Sequence, residues 1–267
     1  MKRRLHPALS AVAVATLAFL YLPLLAVAAL SFNSSRFGTA WQGFTLRWYL
    51  QLSRNGVVLS AAANTLILAL VSTAVSTVLG TALAIALDRF PWPRWMRRAV
   101  DAVVYVPVVT PDIVFAVGML LAFETARRFL GGLHLGMGTM MMAHVTFQIS
   151  FVALTVGSRL ATIGRSVEEA ARDLYASSFY AMRRVTFPLL APGVVAGAML
   201  AFTLSLDDFV ISFFTSGPSS VTLPLYIYGS LRRGITPEIH ALSTVVFLAT
   251  VALVFLAQLF SRSPKEE

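Results

Sequence analysis

Long apolar runs alternate with short polar connections along the whole chain. A helix rises 1.5 Å per residue, so about 20 apolar residues are needed to cross the roughly 30 Å hydrocarbon core of a bilayer. Six runs are long enough, at residues 7–30, 60–87, 99–123, 139–160, 188–214 and 239–260. The third contains Pro107 and Pro111 one turn apart, which predicts a kink in that helix. The first exceeds the about 7–15 residues of a signal-peptide core, which favours a retained helix over a cleaved signal. The pattern predicts an all-α membrane protein with six transmembrane helices in a single domain, residues 1–267.

The composition agrees with a membrane protein. Of the 267 residues, 57% are hydrophobic and 12% are charged, and the mean hydropathy is +0.77, far from that of an average soluble domain. A net charge of +9 can indicate nucleic-acid binding, but here the basic residues lie at the ends of apolar runs rather than in one patch. The chain has no cysteine, which excludes disulfides, thiolate nucleophiles and Cys-ligated metals.

The basic residues also indicate how the helices are oriented. Of the 21 Lys and Arg residues, 14 lie at the two termini and in the connections near residues 88–98 and 161–187, and 7 lie in the other connections. The positive-inside rule places the richer set in the cytoplasm. Both termini and the connection at residues 161–187 are therefore predicted to be cytoplasmic.

This cytoplasmic connection contains signals for two short helices. Ser166, followed three residues later by Glu169, fits a capping box that would start the first helix. Ser177 or Ser178 can cap a second, and Pro188 can open the fifth membrane helix at a tolerated position. The residues alone are equally compatible with a protein-contact surface and with a solvated connector.

A family resemblance favours the contact surface. The segment EEAARDLYASSFYAMRRVTFPLLAPG resembles the EAA loop of permease subunits of binding-protein-dependent ABC importers. The pattern of that loop is matched at Glu169, Ala170, Ala171 and Pro188, while Tyr175 and Phe187 stand where the family has glycine and leucine. Because tyrosine resists the positive φ that glycine allows, the geometry of the turn stays open at this point.

The resemblance implies that this chain forms the membrane part of the transporter and that a separate subunit hydrolyses ATP. In that family the loop docks into a cleft of a separate ATPase subunit and passes its closure to the membrane helices. The residues expected to couple this chain to the ATPase are Glu168, Glu169, Ala170, Ala171, Asp173, Tyr175 and Pro188. ATP and Mg would be bound by that partner, and this chain would hold no cofactor.

A second resemblance indicates which subgroup of importer permeases the chain is similar to. The block LAFTLSLDDFVISFFTSGPSSVTLPLYIYGSLRRGITPEIHALST is similar to spermidine/putrescine permeases, and similarity of length and span pattern covers essentially the whole chain. It implies the type I importer fold, a bacterial inner-membrane location, polyamine import, a second permease subunit, an ATPase dimer and an extracytoplasmic solute-binding protein. The alternative within the class is another small cationic or organic solute.

Three acidic residues lie in apolar runs. An Asp near the centre of a membrane helix costs about 2.5–3.5 kcal/mol on insertion scales, so it usually faces a cavity or a partner. Asp112, Asp207 and Asp208 are therefore candidates for the path of a cationic solute, with helix-end capping or an internal salt bridge as the alternative. In a continuous helix Asp207 and Asp208 point about 100° apart, so only one is expected to face the path and the other to form a structural hydrogen bond.

The sequence contains no motif for ATP hydrolysis, metal binding or catalysis. There is no G-x-x-x-x-G-K-[ST] segment for ATP phosphates and no H-E-x-x-H pair, and His144 is expected to pack within the bundle rather than bind metal. No catalytic or metal site is predicted, and the chain is expected to be a transport subunit rather than an enzyme. Two rival functions stay open: an ion-coupled carrier that acts alone with Asp112 as coupling acid, and a scaffold protein without transport activity.

Overall fold

A computed structural model describes residues 7–35, 40–234 and 236–261. The regular structure of these residues is helical, apart from one isolated bridge between Asn33 and Phe44, which confirms the all-α prediction. The helices are α1 (Pro7–Leu30), α2 (Arg47–Arg54), α3 (Gly56–Arg89), α4 (Arg94–Val109), α5 (Asp112–Leu130), α6 (Met137–Ile163), α7 (Ser166–Asp173), α8 (Ser178–Ala181), α9 (Phe187–Leu206), α10 (Val210–Thr215), α11 (Leu223–Arg233) and α12 (Pro237–Ser261). The predicted cytoplasmic termini, with the basic residues at 2–4 and 262–265, lie outside the described residues.

The chain forms two compact units. One contains Met1–Leu59 with Ile227–Glu267, and the other contains Ser60–Tyr226. In the first, α12 packs against α1 and α2. The connection after α1 is folded around Asn33, whose carbonyl oxygen accepts the indole N–H of the buried Trp48 at 2.7 Å.

The second unit contains α6 and α9 in close contact. A Cβ atom at Gly193 would lie 2.6 Å from the Cβ of Arg159 on α6, and one at Gly80 of α3 would lie 2.7 Å from the Cβ of Val152. Small residues at such crossings let helix backbones approach closely in membrane bundles. α3, α6 and α9 therefore form the packed centre of this unit.

Four of the predicted spans, at 7–30, 60–87, 139–160 and 239–260, are present as uninterrupted helices. The helical segments Leu9–Leu30, Gly56–Arg89, Met137–Ile163 and Ser178–Leu206 are long and apolar enough to cross a bilayer. α12 contributes a shorter apolar stretch, Pro237–Ala252. The second short helix of the cytoplasmic connection continues into α9 through a π-helical segment, Met182–Thr186, referred to below as the π-turn.

The kink predicted from Pro107 and Pro111 in the helix at 99–123 is present as a full break. α4 and α5 are bent by 114° at the break between them. Pro111 lacks a backbone N–H and restricts the residue before it, so the helix ends at Val109 and Thr110 is extended. Asp112 therefore begins α5 instead of lying in the middle of a helix.

The predicted helix at 188–214 is also interrupted. α9 ends at Leu206, and the short helix α10 begins at Val210. Asp207 and Asp208 lie in this break, so they are not side chains of a continuous helix. The connection between α10 and α12 contains a further helix, α11.

Candidate functional site

The two helix breaks border one cavity. It has a volume of about 280 Å³ and lies between the α4–α5 break, α6 and the α9–α10 break. Its lining includes all three candidate carboxylates and four aromatic rings: Asp112, Asp207, Asp208, Phe115, Phe147, Phe151 and Phe209. Asp207 and Asp208 both border it, because they lie in a helix break and not in a continuous helix. That only one of them lines the path of a solute stays a prediction.

Asp208 is held by hydrogen bonds within the fold. Its Oδ1 accepts the backbone N–H of Ile211 at 3.2 Å, and its Oδ2 accepts that of Ser212 at 2.8 Å. His144 Nε2 lies 3.3 Å from the same Oδ2, and the side chain of Asp208 is 10% exposed. This carboxylate caps the start of α10, as the structural alternative predicted for one of the two acids.

Asp112 and Asp207 differ from Asp208 in exposure and in hydrogen bonding. Both are exposed at the cavity. Among the described residues, neither carboxylate forms an ion pair or a hydrogen bond with another side chain. These two carboxylates are therefore available to a ligand.

Aromatic rings form much of the remaining wall. Phe115 and Phe151 each meet Phe147 edge to face, with ring centroids 6.4 Å and 6.2 Å apart. The face of an aromatic ring attracts a cation, and its body provides apolar contact. Together with two free carboxylates, these rings suit an organic cation that carries methylene groups.

His144 belongs to a polar network that sequence reasoning missed. The residue is fully buried, and its ring nitrogens lie 2.8 Å from Ser205 Oγ and 3.2 Å from Ser212 Oγ. Ser205 continues to Ser72, which accepts from Gln148. The signal in the sequence was the spacing of four between His144 and Gln148, which places two polar side chains on one face of an apolar helix.

The cytoplasmic connection forms the second candidate region. α7 begins at Ser166, but the predicted capping box is wrong, because Arg165 is the N-cap residue and its carbonyl accepts the N–H groups of Glu168 and Glu169. The predicted cap at Ser177 is present, since its Oγ accepts the N–H of Tyr180 at 3.3 Å. The two short helices therefore form, the first with a different start.

Tyr175 closes the turn between these helices with a left-handed backbone. Its φ is +59°, the only positive value at a non-glycine residue in the described part of the chain. The turn is closed as in a helix C-cap, because Ala176 N–H donates to the carbonyl of Ala171 at 3.0 Å. Tyrosine thus adopts the conformation that glycine would give, at a cost of roughly 1–2 kcal/mol.

The coupling candidates divide into an outer and an inner set. Glu169, Ala170, Asp173, Tyr175 and Pro188 are exposed, and Ala171 is half-buried. Leu174, Tyr175 and Phe179 project from the same region and are 82%, 99% and 74% exposed.

Glu168 is the buried member of the coupling candidates. Its Oε1 lies 2.9 Å from Arg89 Nη2. Glu169, not Glu168, is therefore the carboxylate available to a partner.

Comparison with known proteins identifies the family. Residues 76–263 match the model of the binding-protein-dependent transport system inner membrane component. The chain is 40% identical over 245 residues to the spermidine/putrescine transport system permease protein PotC of Escherichia coli K12, which covers 92% of this chain and 90% of that protein. It is 39% identical over 250 residues to the putrescine transport system permease protein PotI of the same strain, covering 93% and 89%.

Solved structures agree in fold. A chain of a bacterial ABC transporter involved in import of the acidic polysaccharide alginate superposes with a TM-score of 0.74 at 19% identity, covering 97% of this chain and 95% of that one. A chain of an amino acid ABC transporter, solved with histidines, gives a TM-score of 0.59 at 18% identity, covering 82% and 99%. These neighbours support the predicted importer fold, and the family model confirms the predicted inner-membrane location.

The sequence relatives confirm the resemblance to polyamine permeases, and the family is one of transport subunits. The chain belongs to the family of inner membrane components of binding-protein-dependent transport systems.

Proposed function

We propose that this chain is one permease subunit of an ATP-driven importer and that its solutes are polyamines such as spermidine and putrescine. The relatives at 40% and 39% identity are named for these solutes. The observation that carries the proposal is the cavity in which Asp112 and Asp207 present unpaired carboxylates beside phenylalanine rings.

The cavity provides suitable contacts for both the ammonium groups and the methylene segments of a polyamine. An ammonium group that leaves water needs a compensating charge, which a carboxylate supplies. The methylene segments between ammonium groups need apolar contact, which Phe115, Phe147 and Phe151 supply. Asp112 and Asp207 border the same cavity from two different helix breaks, which provides two carboxylates for a solute with two ammonium groups.

The topology that serves this function has six spans. They are α1, α3, the bent pair α4 and α5, α6, the segment Ser178–Leu206 and α12. With both termini cytoplasmic, the loop at residues 161–187 faces the ATPase and the folded segment after α1 faces outward. The excess of Lys and Arg on the cytoplasmic side supports this orientation.

This orientation has a direct test, because the chain has no cysteine. A single cysteine at the exposed Leu174 is expected to be protected from a membrane-impermeant maleimide in intact spheroplasts and to react after permeabilisation. The matched control is Gln51→Cys on α2, also exposed, which should react in both preparations. Labelling of Leu174→Cys in sealed spheroplasts would contradict the topology.

The loop tip supplies the docking surface in this proposal. Glu169 contributes a charged contact, Ala170 and Ala171 allow close approach, and the exposed Tyr175 reaches into the partner. Asp173 and Pro188 flank this surface. A cytoplasmic ATPase dimer binds ATP and Mg, a second permease subunit completes the path, and an extracytoplasmic binding protein delivers the solute. Nucleotide then shifts the pair between inward-open and outward-open states.

Family membership favours this function over an ion-coupled carrier that acts alone and over a scaffold protein. The experiment that tests the proposal is uptake of labelled spermidine and putrescine by cells that lack the chain and have no redundant system. Restoration of uptake by the wild-type chain supports polyamine import. If deletion leaves polyamine uptake unchanged, the solute assignment has to be abandoned.

A further inference from the structure

The inner face of α7 carries a buried ionic contact that the proposed docking surface does not use. Glu168 is 7% exposed, and its Oε1 lies 2.9 Å from Arg89 Nη2 and 3.0 Å from Arg89 Nε. Thr186 Oγ1 donates to the same carboxylate oxygen at 2.7 Å. Arg89 is the last residue of α3, and Thr186 is the last residue of the π-turn that leads into α9. One carboxylate thus joins three elements.

Further contacts strengthen the same junction. Arg89 pairs with the neighbouring Asp88, and its Nη2 donates to the carbonyl of Gly164 at 3.4 Å. Arg165 donates to the backbone carbonyl of Asp88. We refer to Arg89, Glu168 and Thr186 as the latch. The contacts of Arg89 and Arg165 fix the start of α7 to the end of α3, and the contact of Thr186 fixes α7 to the start of α9.

The burial of the latch determines how α7 can move. Separating Glu168 from Arg89 would leave an unpaired charge in a buried position, which strongly destabilises a protein. A force on α7 is therefore transmitted to α3 and to the start of α9 instead of being absorbed in the loop. The far end of α9 leads directly to Asp207, which borders the cavity.

We propose that Glu168 is a positioning residue that couples movement of the loop to the cavity through the latch. This inference rests on the proposed docking of the loop on an ATPase, and it separates the roles of two adjacent carboxylates. Glu169 faces outward and binds the partner. Glu168 faces inward and makes α7, the end of α3 and the start of α9 move together.

The test compares Glu168→Gln with the wild type in the full transport complex, reconstituted with its ATPase and binding protein. The ATPase is expected to remain bound and to hydrolyse ATP, because the docking surface is intact. The amount of spermidine transported per ATP hydrolysed is expected to fall about tenfold, within the usual range of coupling between sites. A spin label on Val167→Cys, at an exposed position of α7 outside the proposed docking residues, is expected to become more mobile in the variant.

Three further variants keep the test decisive if Glu168→Gln does not reach the membrane. Arg89→Lys retains the charge and is expected to stay closer to the wild-type ratio than Arg89→Gln. Thr186→Val removes one hydrogen bond at constant shape, and the ratio should fall by about threefold. An unchanged ratio in Glu168→Gln, or in Thr186→Val where that variant replaces it, would overturn the role of the latch. Failure of the wild-type chain to bind an ATPase or to take up solute would instead overturn the proposed function.

Discussion

Replacement of both Asp112 and Asp207 by asparagine is expected to raise the KM for spermidine uptake by about a hundredfold, and each single replacement by about tenfold. A hydrogen bond to a charged group contributes about 1.5–3 kcal/mol, and each factor of ten corresponds to about 1.4 kcal/mol. The two carboxylates border the cavity and form no ion pair with another described residue. Their removal therefore takes away charge that a cationic solute would otherwise engage.

Two comparisons make this prediction specific. Glu124→Gln removes a carboxylate whose only described ion pair is an exposed contact with Arg127, so it should leave the KM for spermidine unchanged. Asp208→Asn should act differently, because Asp208 caps α10 and contacts His144. It is expected to lower the amount of folded protein as well as uptake. A wild-type KM in the double variant, at normal membrane levels, would exclude Asp112 and Asp207 from the solute path.

Glu169→Lys is expected to abolish ATP-driven uptake while leaving the chain in the membrane. Like charges placed together at an interface cost several kcal/mol, so binding of the ATPase subunit should weaken by about a hundredfold or more. Glu169 is exposed on α7 and is not part of the buried contact made by Glu168. The change should therefore affect docking without unfolding the loop.

The measurement is co-purification of the ATPase subunit together with spermidine uptake. Glu124→Lys provides a charge reversal outside the loop and should retain both. Normal uptake by cells that carry Glu169→Lys would rule out the docking role of this residue.

The apolar runs predicted most helices because crossing a bilayer sets a minimum length for each of them. The run at 7–30 coincides with α1, Pro7–Leu30, and the run at 139–160 lies inside α6, Met137–Ile163. Hydropathy reports how well a segment partitions into lipid. It does not report whether the backbone hydrogen bonds are continuous, so the break after Leu206 was missed, and the break after Val109 was predicted only as a proline kink.

The break after Leu206 had a local signal that hydropathy does not contain. Asp208 stands three and four residues before Ile211 and Ser212, whose backbone N–H groups it accepts. This is the geometry of a residue that caps a new helix. The apolar residues on either side of the aspartates hid that signal.

All three candidate acids border one cavity, but their individual states depend on tertiary contacts. Asp208 is held by His144, which is 64 positions away in the sequence, and no local pattern gives that pairing. The inward orientation of Glu168 depends in the same way on Arg89, at the end of a different helix. At Tyr175 the overall loop geometry prevailed over the local preference against positive φ.

The most direct test of the central claim is ATP-driven uptake by the purified complex in proteoliposomes. ATP and the ATPase subunits are inside the vesicles, and the binding protein and the solute are supplied outside. At a solute concentration well below the wild-type KM, labelled spermidine and putrescine should accumulate with the wild-type chain and should accumulate far more slowly with the Asp112→Asn, Asp207→Asn double variant. Equal uptake by the two proteins would contradict the claim that this cavity carries a polyamine across the membrane.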